Sequence, residues 1–137
     1  GKVFSFHFKL ISNTIFISEL KKMDAFDSPV KAFKLQSGCV RYSYLPYGSK
    51  IPSPFKCVCP KNKEEEGMMQ PIFRSLQFGE AGYAELHQKC PIGITQGSDA
   101  ESEMGAYHNL YQSYRIKNLE ERLTEYLPFN LEGGIFL

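Results

Sequence analysis

The chain has no tryptophan, three histidines and four cysteines in 137 residues, and its net charge is only +1. No apolar run approaches the ~20 residues a helix needs to cross a bilayer. The opening residues lack the apolar core of a signal peptide. Cys39, Cys57, Cys59 and Cys90 are too few and too irregularly spaced for a disulfide scaffold, and a chain of this length can bury a core without one. No Asn-x-Ser/Thr acceptor is present. These shortages predict reduced thiols and an intracellular setting, cytoplasmic or nuclear. A first residue of Gly1 rather than Met reads as part of a larger protein.

The near-zero net charge conceals a division. Residues 1–63 carry 11 Lys and Arg against 3 Asp and Glu, whereas 64–137 carry 5 against 12. The reading is one domain over 1–137, with a basic β-rich part (1–63) and an acidic, helix-containing part (64–137). Hydrophobic content of 42% and charged content of 23% are ordinary for a globular protein. Eleven Phe and eight Tyr tilt the composition toward strands.

Phe4, Phe6, Phe8 and Leu10 alternate with Ser5, His7 and Lys9, the pattern of a half-buried strand. Ser12-Asn13-Thr14 follows as a turn and Ile15-Phe16-Ile17-Ser18 as a return strand, so 3–20 predicts a β-hairpin. Asp24 to Pro29 reads as a loop or a single helical turn. Further strands are expected at 30–35, at Val40-Tyr42-Tyr44 and at Phe55–Cys59, separated by Gly38 and the proline-rich stretch from Pro46 to Pro54. Lys61 to Gly67 reads as a solvated loop, Glu80 to Lys89 as a short helix, and Ile92-Gly93-Ile94 as extended. Ser98 with Glu101 has capping-box spacing.

Two apolar stripes follow, Met104-Tyr107-Tyr111-Tyr114 and Ile116-Leu119-Leu123-Tyr126. They lie about 200° apart around a helix axis, so one straight helix cannot bury both: either the helix breaks near Tyr114 or the first stripe belongs to another element. Gly133 to Leu137 is an apolar end that reads either as a last strand docking on the sheet or as an element cut partway, and no internal repeat is evident.

Candidate chemistry is sparse. Cys57-x-Cys59 and His87-x-x-Cys90 form two pairs of potential zinc ligands, but the first has one intervening residue where a knuckle takes two to four. His7, His87 and His108 are the imidazoles that could serve a thiol nucleophile, and no local signature surrounds any cysteine. Ser98, Asp99, Glu101 and Glu103 form an acidic cluster without the glycine of a calcium loop; a helix dipole explains acids in a first turn more simply. Gly93 and Gly133-Gly134 fit no phosphate-binding loop. No catalytic, cofactor-binding or metal residue is therefore assigned.

The fold class expected is α+β: an antiparallel β-sheet or small open barrel closed by a C-terminal helix. In layout alone, and in no motif, this resembles the pleckstrin-homology and phosphotyrosine-binding modules. The function expected is a non-enzymatic interaction module for a protein or peptide segment. The alternative is a binder of an anionic ligand, single-stranded nucleic acid or phosphoinositide, through Lys9, Lys21, Lys22, Lys31, Lys34, Arg41, Lys50, Lys56, Lys61 and Lys63 with Tyr42, Tyr44 and Tyr47. That alternative fails if acidic residues of the second part cover the basic strands.

Overall fold

The computed structural model describes residues 2–20, 25 and 27–135. Lys21, Lys22, Asp24, and the Phe136 and Leu137 of the expected last strand lie outside the described residues. The described residues between 3 and 59 form three stacked coils, and every ladder joining them there is parallel. Strand β1 (Val3–Ser5) pairs with β3 (Val30–Ala32), and Lys31 continues that ladder to Lys50. β2 (Leu10–Ser12) pairs with β4 (Cys39–Arg41), which pairs with β5 (Pro54–Phe55). Ile15, Tyr44 and Val58 bridge as a third row. Each ladder thus takes one segment from each coil, the arrangement of a short parallel solenoid.

The expected antiparallel sheet or barrel is therefore wrong, and the hairpin over 3–20 and the layout resemblance fall with it. The cause lies at one corner. Asn13, Tyr42 and Lys56 occupy equivalent places between the second and third ladders, and all three are left-handed, with φ of 52°, 49° and 47°. A left-handed residue after a short strand serves a hairpin turn and a solenoid corner equally well. Here the chain turns aside and pairs with the next coil rather than with itself.

Side-chain alternation resets at these corners, which explains a second difference. Phe4, Phe6 and Leu10, expected in the core, point outward and are more than half exposed. Val3, Phe8, Ile11 and Phe16 instead pack around the fully buried Val30, Val40 and Leu45 inside the coils. A structural repeat also exists where none was evident. Leu10–Phe16, Cys39–Leu45 and residues 53–59 superpose in register without one identical residue in any column. Stacking needs apolar bulk at inward places and a tolerated left-handed corner, and it does not specify residue identity.

Gly38 sits where two coils touch. Its φ is +101°, and a Cβ built on it would lie 1.7 Å from the carbonyl oxygen of Phe8. The position requires glycine for both reasons.

The rest of the chain packs on the third ladder. Ile15, Tyr44 and Val58 meet Leu86, Cys90, Ile94 and Met104 in a second apolar cluster. Helix α1 (Lys63–Met69) replaces the expected loop. Asn62 caps it by accepting from the Glu65 N–H at 2.7 Å, and Glu64, Glu65 and Glu66 fill the first turn, so the charge run follows the helix dipole. Residues 80–89 form no helix. Phe73 and Leu86 bridge in antiparallel sense, with Arg74 N–H donating to Glu85 O at 2.9 Å and His87 N–H to Ile72 O at 2.8 Å. Ile92–Thr95, expected extended, is a single helical turn, α2.

The expected capping box at Ser98 is a tight turn: its hydroxyl accepts from the Ser102 N–H at 3.0 Å. Asn13 and Asp99 bond reciprocally at 3.0 and 3.2 Å, and Gly105 N–H donates to Asn13 O at 2.9 Å, pinning this segment to the first coil. No single helix carries the first stripe: Met104 and Tyr107 lie in bends and turns, His108–Leu110 is a 3₁₀ turn, and the left-handed Tyr111, at φ 49°, precedes the last helix. That helix, α3 (Gln112–Tyr126), carries the second apolar stripe.

Candidate functional site

Two concave surfaces adjoin α3, and both use Gln112 and Ile116. The first is a groove of about 410 Å³ along the helix, lined by Arg115, Ile116, Asn118, Leu119, Arg122 and the returning Ile135. The tail folds back here because Gly133 approaches Leu123 and Leu127; a Cβ on Gly133 would fall 2.7 Å from the Leu127 side chain. Most α3 side chains remain exposed, Leu119 at 49%. Among the described residues the apolar stripe is only partly covered.

The second surface is a cleft of about 250 Å³ between the 72–87 pairing, the 98–105 segment and α3. The antiparallel bridge sets Arg74 beside Glu85, and the guanidinium donates to one Glu85 oxygen at 2.9 Å. Gln112 donates to the other at 3.0 Å. Glu103 lines the same cleft and is 4% exposed, yet among the described residues nothing donates to its carboxylate. Burial, with the like charge of Glu85 adding to it, raises the Glu103 carboxyl to about 7. His87, Gln88, Thr95 and Glu120 complete the polar lining, and Leu86 and Ile116 supply apolar walls.

The acidic cluster of the sequence is thereby divided: Asp99 holds Asn13, and Glu103 is buried in the cleft. Arg74 and Glu85 carried no sequence signal, because they meet only through the bridge between Phe73 and Leu86. Cys57, Cys59, His87 and Cys90 do not meet as a zinc set, since no group of three or more His, Cys, Asp or Glu among the described residues could hold a metal ion. Cys90 is in the second apolar cluster, where burial pushes its thiol up. The Cys57 thiol reaches Val40 O at 3.2 Å. A hydrogen bond with Cys59 lowers Cys57 to about 6 and pushes Cys59 up. All four cysteines are free.

The acidic part touches the basic set at α1, where Glu66 accepts from the Tyr47 N–H at 2.8 Å and Glu65 from the Lys61 N–H at 2.9 Å, but among the described residues it forms no ion pair with the lysines or Arg41 of that set. Among the described residues the ion pairs are Lys31 and Lys50 with Asp27, at 2.9 and 2.6 Å, and Arg74 with Glu85. Among the described residues Lys34 lies over Phe6 at 5.2 Å and Lys56 over Tyr42 and Phe55 at 5.7 and 5.9 Å. No helix among the described residues is long and apolar enough to cross a membrane. No protein-family model, no curated protein and no solved structure matches this chain.

Proposed function

We propose that this chain is a non-enzymatic interaction module that receives an amphipathic, acidic segment of a partner protein in the α3 groove. The observation that carries this reading is the exposed apolar stripe of α3. A helix of 15 residues is marginal alone in water and takes its stability from packing. Here Ile116, Leu123 and Leu127 are only half-buried and Leu119 is exposed. Arg115 and Arg122, seven residues apart, flank the stripe, and their charge favours carboxylates on the incoming segment. Strand addition to the third coil is disfavoured, because Pro54 lies within β5 and has no N–H to offer.

Selection of a displayed peptide library against the full chain tests the reading. The expected result is enrichment of apolar sequences bearing Asp and Glu that bind the parent chain and lose at least tenfold in affinity to Leu119→Asp or Arg122→Glu. No enrichment, or peptides that bind all three proteins equally, would overturn it. The anionic-ligand alternative retains one support: Lys9, Lys34, Arg41 and Lys56 make no ion pair among the described residues. It requires binding of single-stranded nucleic acid or phosphoinositide that weakens steeply with salt. An affinity unchanged between low and high salt would remove it.

A further inference from the structure

We propose that the cleft beside α3 binds a single organic cation, a guanidinium or alkylammonium group, on the carboxylate of Glu103. This stands apart from the groove reading and does not depend on it. A buried carboxylate is ordinarily paired with a cation or held by several donors. Glu103 has neither among the described residues: the residue is 4% exposed, and its carboxyl oxygens keep their contact with solvent where they open onto a cavity of about 250 Å³. The cleft's own cation is already engaged, since the Arg74 guanidinium bonds Glu85 at 2.9 Å.

The charged groups facing the cleft are Glu85, Glu103 and Glu120 against Arg74, with His87 beside them. The balance is negative and lacks a cation at Glu103. The walls narrow the choice further. Leu86 and Ile116 offer apolar surface to an alkyl stem, while Thr95 and Gln88 add polar atoms to the lining. No three acidic or imidazole groups converge as a metal set among the described residues, which favours an organic cation over a divalent ion. The raised carboxyl of Glu103 is the state expected while the cleft holds no cation, and a bound positive charge would return it toward the ordinary range.

The test is a carbon-13 titration of the glutamate side chains of the full chain, in the presence of n-butylguanidinium, n-butylammonium, uncharged n-butylurea or Mg²⁺. The Glu103 resonance is assigned by its loss in Glu103→Gln and, should that variant fail to fold, by its high midpoint. Either organic cation is expected to move that midpoint about one to three pH units toward acid, with butylurea inert. Glu103→Gln is expected to weaken cation binding at least tenfold. Binding of an N- and C-capped arginine as well as butylguanidinium identifies the natural source as a protein side chain, and binding of butylguanidinium alone identifies it as a free amine or guanidine. An unmoved midpoint overturns the proposal, as does an equal response to butylurea, equal binding by Glu103→Gln, or a response to Mg²⁺ in place of the organic cations.

Discussion

Replacing Gly38 by alanine tests whether the first two coils touch backbone to backbone. At φ +101°, any L-residue carries a left-handed strain of about 1–2 kcal/mol, offset by about 0.4–1 kcal/mol of lost unfolded-state freedom. The added methyl would also lie 1.7 Å from Phe8 O, where real contacts do not fall below 3.0 Å. The coils must then separate by 1.3 Å, the difference of those distances. The Cys39 N–H to Lys9 O bond beside it is already 3.4 Å long. Overpacking of this kind costs about 1–3 kcal/mol more. Gly48 is the control. Its φ is +79°, but its nearest neighbour, Pro29 Cδ, is 3.9 Å away, so Gly48→Ala meets strain without a clash. Urea unfolding should place Gly48→Ala within about 1 kcal/mol of the parent and Gly38→Ala about 2–4 kcal/mol below it. At about 3–5 °C per kcal/mol, the second loss is also plain in a thermal melt. Two variants equal within about 0.5 kcal/mol would show that the coils do not approach this closely and would undo the stacking argument.

Folded Glu103 keeps its proton up to about pH 7, against an ordinary value of 4.5, so across that window unfolding releases a proton and stability falls as pH rises. The denaturation profiles of the parent and Glu103→Gln should run parallel below pH 4.5 and diverge toward pH 7; profiles parallel throughout would refute the burial argument. At neutral pH iodoacetamide should label Cys57 ahead of the more exposed Cys59, and Cys59→Ala should slow Cys57 by removing the bond that favours its thiolate. Mass mapping that finds Cys59 labelled first would contradict this.

Local chemistry was readable where a few adjacent residues decide the outcome. The incompatible stripes show that one helix does not carry both, and in the structure Met104 and Tyr107 lie outside any α-helix while Ile116, Leu119 and Leu123 follow on α3. Strands were expected near residues 4–10, 30–35 and 40–44, and short strands occur in each. Their partners were not readable. Ser12-Asn13-Thr14 has the composition of a hairpin turn, and the left-handed Asn13 is common to a turn and a corner. Parallel partners in the coils lie 14 to 29 residues apart, as Tyr44 with Val58 and Ile15 with Tyr44, beyond the reach of a local pattern. The charge run at Glu64–Glu66 was read as solvated, although Asn62 three residues before Glu65 was a usable capping signal. The cleft was unreadable for a similar reason. Asp99 and Glu103 are four residues apart and look equivalent, but one is held at the surface by Asn13 and the other is buried beside Glu85.

The interval from Tyr44 to Val58 is 14 residues, the shortest full circuit of the stack. A backbone organised this way can grow or shrink in quanta of one circuit, because each layer touches only the layers above and below it. Splicing a duplicate of residues 45–58 after Val58 should therefore lengthen the spindle by a single storey while leaving the cleft and α3 undisturbed, whereas an insert of half that length should throw every inward-facing side chain out of phase.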